Sequence, residues 1–458
     1  MSKTCAIILA AGEGVRMKSN LPKALLQVLF KPMLTWVTDA VKKNSVSDIC
    51  IVAGYKADKI SEYIKDEWEI AIQNERLGTG HAVKCALDFL HRHKESQVLI
   101  VSGDVPFVDS DTINESLNTH LLQHNSVTVI SAVLCDPLGY GRIIRDDNNC
   151  IEKIVEEKDA TASEKEIQEI NSGAYWFSAA ALIDSLSKLT NDNAKGEYYL
   201  TDTIEIIKKA GKKVGVHVAK GEEIALGANT RIQLNKLNEI ARKKELERQM
   251  LQGVDIPCTD GVIISANSKI GNDTTILPNT IIKDNVTIGQ FCTIGPNTVL
   301  ENCTIENGTS LSNTVVKDSH IGNNVSVGPF AHIRPDCDIR DNIKIGNFVE
   351  IKNSIVDDGS KLPHLIYVGD SDVGKKVNFG CGCVTVNYTG KYKYRTVVKD
   401  GAFIGCNTNL VAPVTVGEKA YIAAGSTITR DIPEYSLAIA RSQQIVKENW
   451  VKEKDPYK

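Results

Sequence analysis

Apolar residues follow two rhythms along this chain, and the change falls near residue 255. Before it, short apolar runs alternate with stretches of helical periodicity. The runs CAIILA (5–10), SDICIVAG (47–54), QVLIVSGD (97–104), VTVISAVL (127–134), GAYWF (173–177) and KVGVHVA (213–219) read as strands. The stretches PMLTWVTDAVKK (32–43), TGHAVKCALDFLHRH (79–93) and TDTIEIIKKAG (201–211) read as helices. That alternation predicts an α/β domain, an open and mostly parallel Rossmann-like sheet covered by helices. Residues 229–251 form a polar helix with a narrow apolar stripe at Leu234, Leu237 and Ala241, the pattern of a connector.

Beyond residue 255 the period becomes six. Isoleucine or leucine falls at 264, 270, 276, 282, 288, 294 and 300. A second run is Ile321, Val327, Ile333, Ile339, Ile345 and Ile351, and a third is Val398, Ile404, Leu410, Val416, Ile422 and Ile428. A glycine or alanine often follows, as at Gly271, Gly322 and Gly405. Each hexapeptide reads as one flat side of a triangular coil, its branched residue pointing into a shared core, so stacked turns form a parallel β-helix. At about 4.8 Å per coil, some nine coils make a rod of about 45 Å. The segment NYTGKYKYRT (387–396) cannot be a flat side and is predicted to loop out. The domains are therefore expected at 1–228 and 252–458, with a linker helix at 229–251.

Charge and cysteine content narrow the class. Fifty-three basic and 57 acidic residues give a net charge of −4, which argues against a nucleic-acid footprint. The apolar run from Cys5 to Ala11 is too short to span a bilayer and has no cleavage site after it, so a cytoplasmic protein is expected. The twelve cysteines are scattered, with only Cys381 and Cys383 close together and no C-x-x-C pair. Inert thiols in a reducing compartment are expected, rather than zinc or disulfides.

The first candidate chemistry lies in LAAGEGVRMKSNLPKAL (9–25). Gly12 and Gly14 open like a nucleotide loop, but Met17 replaces the third glycine of the dinucleotide pattern and no Gly-Lys-Ser/Thr ending follows. A glycine turn lets backbone N–H groups approach a phosphate chain. Arg16 and Lys23 would bring two cations to it, which suits an enzyme that expels pyrophosphate; taken alone, they fit solvated surface charges equally well. Asp104 sits at the carboxyl end of a predicted buried strand, where open α/β sheets bind ligands and where a charge is costly without a ligand or metal. Gly78, Thr79 and Gly80 open a helix as a second turn suited to polar contacts. In the second half, Arg334 and Lys352 are 18 residues apart, one full coil, so they are expected to stack and clamp one phosphate. His364 and Tyr367 lie near that clamp. An imidazole, with a reference pKa near ~6.5, suits a general base for an amine, and Glu350 could orient it. A structural or surface histidine is the plainer alternative.

The motifs G-x-G-x-R…PK, G-T-G-H-A, G-D-V-P, G-Y-G-R (139–142), E-K-D-A (157–160), E-I-N-S-G (169–173) and G-A-N-T-R (227–231) resemble those of sugar-1-phosphate uridylyltransferases. With the hexapeptide half attached, essentially the whole chain resembles one bacterial family, the bifunctional N-acetylglucosamine-1-phosphate uridylyltransferase and glucosamine-1-phosphate N-acetyltransferase. The resemblance implies a left-handed β-helix, a homotrimer, Mg²⁺ as cofactor, and UTP and acetyl-CoA as co-substrates. By resemblance, Leu9, Ala10, Ala11 and Gly12 contact uridine, and Gln73, Gly78 and Thr79 hold the base. Arg16 and Lys23 serve the phosphates, Asp104 and Asn229 hold the metal, and Gly141, Glu156 and Asn171 bind the sugar. In the other half the resemblance makes His364 the proton acceptor. Arg334, Lys352, Tyr367, Asn378 and Lys393 bind glucosamine-1-phosphate, with Lys393 reaching it from the looped-out insert of this subunit or a neighbour. Cys381, Asn387, Tyr388, Cys406, Ala424 and Arg441 occupy the acetyl-CoA positions. The chain departs from the family pattern at Arg76, Ser102, Cys381 and Cys406, and the two cysteines are expected to do no more than fill space. Two alternatives stay open: another sugar-1-phosphate nucleotidyltransferase, such as one using ATP, whose β-helix is regulatory, and a β-helix that only trimerises the protein.

Overall fold

The computed structural model describes residues 3–193 and 195–456. The chain forms two compact units, Met1–Ala241 and Arg242–Lys458.

In the first unit seven strands lie side by side in the order Val214–Val218, Val127–Val133, Glu169–Ser178, Gln97–Ser102, Thr4–Ala10, Asp48–Ala53 and Glu69–Ile72. Thr4–Ala10 is parallel to both neighbours. Its side chains alternate between two apolar layers, Ala6 and Ile8 on one face, Cys5 and Ile7 on the other. Burial on both faces is why such strands read as unbroken apolar runs. Glu169–Ser178 is antiparallel to both Gln97–Ser102 and Val127–Val133, so the sheet is mixed rather than wholly parallel. It bulges between Asn171 and Ala174, at Gly173 with φ +80°.

The helix expected over 79–93 is two helices, Thr79–Lys84 and Leu87–Arg92. The break lets Ala82, Val83 and Ala86, and then Phe89 and Leu90, all settle in the same apolar layer. The helix Arg231–Leu251 buries Leu234, Leu237 and Ala241, its predicted stripe.

In the second unit short parallel strands stack coil upon coil, as in Ile264 on Ile282 on Leu300 and Ile276 on Ile294 on Leu311. The ladder does not stop where the six-residue period does. It continues through Ile305, Leu311 and Val316, and through Val356, Leu362, Val368, Val373 and Phe379, all buried. Some of these steps are five residues long, because a corner that loses one residue still returns the next side chain inward. Corner residues take left-handed φ, and asparagine suits them: Asn279, Asn297, Asn313 and Asn407 hold one corner. Asn279 donates to Asn297 at 3.2 Å and Asn297 to Asn313 at 2.9 Å. Between Asn313 and Asn407, Phe330, Phe348 and Leu365 adopt the same φ with exposed side chains, the two phenyl rings stacked at 5.4 Å. The insert loops out after Val386, so the coil spacing across it widens to 25 residues, Ser371 pairing with Thr396.

Candidate active sites

A cleft of about 300 Å³ opens at the carboxyl ends of Thr4–Ala10 and Gln97–Ser102. It brings together Leu9, Ala10, Ala11, Gly12, Lys23, Gln73, Gly78, Thr79 and Asp104. Two glycines shape it. Gly14, at φ +63°, lets the Lys23 stem pass, since an added Cβ would lie 3.1 Å from Lys23 Cβ. Gly78, at φ +107°, has the Tyr198 carbonyl where a side chain would go. The amide of buried Gln73 donates to the Gly78 carbonyl at 3.1 Å and fixes that loop.

The Lys23 ammonium is buried between the Asp104 carboxylate, with which it forms an ion pair, and Asn229 Oδ1 at 2.7 Å. A carboxylate and an amide oxygen thus converge on one cation. Such hard oxygen donors suit Mg²⁺, which keeps its remaining positions for water and phosphate. Arg16 stands apart, exposed on the 3-10 turn Val15–Met17 and outside the cleft lining. Both first-half departures line the cleft: Ser102, and Arg76, whose guanidinium pairs with Glu13 of the first glycine turn. Glu13 was not singled out in the sequence, because a charged residue in a glycine turn carries no signal until its partner is known.

Gly141, Glu156 and Asn171 form a second group, outside the residues that line this cleft. A Cβ on Gly141 would lie 3.5 Å from both Glu156 carboxylate oxygens, so the glycine leaves them clear. The Asn171 N–H donates to the Gly141 carbonyl at 2.9 Å, and its side-chain amide donates to Tyr175 Oη at 2.6 Å. Burial pushes the Glu156 carboxyl upward. Its neighbour Asp202 is pushed up to about 6, by burial first and the Glu156 charge second. A raised carboxyl penalises the fold above that value, and the penalty disappears once pH falls below the ordinary carboxylate range. Asp202→Asn is therefore expected to raise the melting temperature at pH 7.5 and to lose that advantage by pH 4. Scanning calorimetry of both proteins across that range checks the sign.

In the second unit the predicted residues fall on the two sides of the Phe348–Leu365 corner. On one side, Asn347 pairs with His364, and Lys361 with Asn378. The same register continues from Asn378 to Phe403 to Tyr421, which stacks Asn347, His364, Cys381, Cys406 and Ala424 in one column on successive coils. Arg441 follows beside Gly425. On the other side, Arg334 and Lys352 stack in the paired strands that also align His332 with Glu350. Lys393 completes a cluster of three cations: it holds the Lys352 ammonium below its ordinary range, with Arg334 adding to the effect. Tyr367 stands beside Glu350 in the next coil.

One expectation changes. Glu350 does not orient His364; it accepts from Arg334 at 2.7 Å, on the opposite side of the corner. His364 Nδ1 lies 2.6 Å from Asn347 Oδ1 instead. An amide oxygen only accepts, so the proton is on Nδ1 and Nε2 is left as a free acceptor. Lys393 reaches the cluster within its own chain. Asn387 is buried with its amide on Asp370, and Tyr388 donates to the Gly390 carbonyl at 2.6 Å; both hold the base of the insert. Asn347 and Asp370 were missed. The 17-residue step from Asn347 to His364 is one coil, but only the coil register shows it.

A family model described as nucleotidyl transferase matches residues 5–226. Bacterial transferase hexapeptide repeats match 318–353 and 395–430, and a GMPPB C-terminal domain model matches 258–330. Curated relatives named "Bifunctional protein GlmU" are similar along nearly the whole chain. That of Thermoanaerobacter pseudethanolicus is 51% identical and that of Caldanaerobacter subterraneus subsp. tengcongensis 50%, each covering 99% of both chains. That of Clostridioides difficile is 46% identical over 98% of both.

Proposed function

The chain belongs to the bifunctional GlmU family, and on that premise we propose how its two units divide the work. The protein is a bifunctional enzyme of UDP-N-acetylglucosamine synthesis, an acetyltransferase and a uridylyltransferase. A nucleotidyltransferase whose β-helix is only regulatory is not favoured. Arg242–Lys458 acetylates glucosamine-1-phosphate from acetyl-CoA, and Met1–Ala241 then joins the product to UMP from UTP.

The observation that carries this reading is the Arg334, Lys352 and Lys393 cluster, around one corner from His364. Glu350 offsets only Arg334, and a scaffold has no use for Lys352 and Lys393 in mutual repulsion beside it; a phosphate ester relieves that repulsion. With the sugar phosphate held there, His364 Nε2 takes the proton from the attacking amine and Asn347 keeps the ring in that tautomer. In the other unit, the sugar-phosphate oxygen attacks the α-phosphorus of UTP and expels pyrophosphate. No side-chain nucleophile is needed. Lys23 and the glycine-turn N–H groups face the phosphates, while Gly141, Glu156 and Asn171 hold the sugar. Asp104 and Asn229 would hold Mg²⁺, which would supply charge neutralisation on the phosphates. The test is direct: the purified chain should release free CoA from acetyl-CoA and glucosamine-1-phosphate, and pyrophosphate from UTP and N-acetylglucosamine-1-phosphate. Absence of the first activity sinks the acetyltransferase assignment.

We assign a homotrimer assembled through the second unit. Phe330, Phe348 and Leu365 support it: they form an exposed apolar ridge at a corner whose other coils use asparagine or glycine. Phe330→Asn/Phe348→Asn restores the residue that fits those φ values, so folding should survive. Light scattering should then report dissociation toward monomer, with acetyl transfer falling and uridylyl transfer kept. An undiminished trimer would count against the ridge. Among the described residues no helix is long and apolar enough to cross a membrane. We place the enzyme in the cytoplasm, with its soluble co-substrates.

A further inference from the structure

Cys381 and Cys406 lie in register on adjacent coils, in the column that begins with His364. Two ladder bonds bracket them: Gly380 N–H donates to the Ile404 carbonyl at 2.7 Å, and Asn407 N–H to the Cys381 carbonyl at 2.7 Å. Adjacent strands place their Cα atoms about 4.8 Å apart, inside the range a disulfide spans. Both are free thiols and neither is buried. Cys383, two residues on, is different: it is buried, its thiol donates to the Gly405 carbonyl at 3.1 Å, and burial pushes it up to about 11. The reactive partners are therefore Cys381 and Cys406.

We propose that Cys381 and Cys406 form a redox-sensitive dithiol at the acetyl-CoA position, oxidised by CoA disulfide and closing acetyl transfer when bridged. The CoA-specific part rests on the reading given above, in which these positions face acetyl-CoA. One cysteine thiolate attacks a sulfur of CoA disulfide, forming a protein–CoA mixed disulfide and releasing one CoA thiol. The other thiolate attacks the protein-side sulfur, forming the Cys381–Cys406 bond and releasing the second CoA thiol. Two protein thiols lose two protons and two electrons, and one CoA disulfide is reduced to two CoA thiols. Parallel neighbours hold their Cβ atoms slightly wider than a relaxed disulfide prefers. The bridge is therefore strained and easily reduced, which suits a switch rather than a staple.

The experiment treats the reduced full-length protein with CoA disulfide or, in a parallel arm, glutathione disulfide. Peptide mass mapping, thiol counting and both activities are read on each sample. The expected result is a Cys381–Cys406 link formed faster by CoA disulfide and slowed by acetyl-CoA. Acetyl transfer should fall by about 10²-fold, the scale of a misplaced substrate, with uridylyl transfer unchanged and reductant restoring the loss. In Cys381→Ala/Cys406→Ser, the ratio of treated to untreated acetyl transfer should stay near one, whatever the variant's own rate. Unlinked Cys381 and Cys406, a link that leaves acetyl transfer intact, or equal rates with glutathione disulfide would each overturn the proposal. A reduced wild-type protein without any acetyl transfer would instead sink the functional reading, and the peptide link alone would then decide the dithiol.

Discussion

Replacing His364 with alanine is expected to lower acetyl transfer by about 10²–10⁴-fold, the usual worth of a general base. Uridylyl transfer should not change, because it belongs to a unit with its own core. The imidazole is exposed and its Nδ1 is held by Asn347, so truncation removes little packing and the melting point should barely move. Affinity for glucosamine-1-phosphate should change far less than turnover, since Arg334, Lys352 and Lys393 remain. Raising pH should partly restore the variant, because more of the attacking amine then arrives unprotonated. Asn347→Ala should lower turnover less than His364→Ala, through loss of the tautomer alone. A folded His364→Ala protein with ordinary acetyl transfer would end the general-base assignment; a large fall in melting temperature would mark a packing residue instead.

Asp104→Asn should remove uridylyl transfer while acetyl transfer continues. The carboxylate provides one of the two oxygens that converge on the Lys23 ammonium. The amide keeps the shape and an acceptor for Lys23 but loses the charge that a divalent cation requires. A loss of about 10²–10³-fold is expected, on the scale of removing one preorganised electrostatic group from a transition state. Because Asn229 still accepts from Lys23, the fold should tolerate the change, and circular dichroism should match wild type. Near-normal UDP-sugar synthesis at ordinary Mg²⁺ would refute the metal role of Asp104.

Much of the first site was legible because its residues come in short contiguous motifs. Leu9 to Gly12 sit at a strand end of the kind a parallel sheet presents on one edge, and Gly78 with Thr79 open the helix Thr79–Lys84. What the motif could not give was the placing of Arg16: closeness in sequence to Gly14 does not aim a side chain, and the turn Val15–Met17 leaves it exposed, outside the cleft lining. Arg76 could be marked as a departure, but its partner Glu13 is 63 residues away in the chain and needed the fold.

The β-helix divides the same way. Its six-residue period determined the architecture, because every inward position of such a coil must be apolar and the repeat leaves few other ways to bury them. It also determined that Arg334 stands over Lys352, since 18 residues make a full coil there. What the period could not determine was the register beyond each shortened corner. A single residue lost at a corner shifts every later alignment, and the insert shifts it by eight more. Only the tertiary structure therefore decided that Asn347, His364, Cys381, Cys406 and Ala424 form one column, and that Glu350 faces Arg334 instead of His364. The physical reason is that inward positions are set by hydrophobic burial, which is written into composition, residue by residue. Outward neighbours are set by the cumulative count of residues around the coil, which depends on every corner at once.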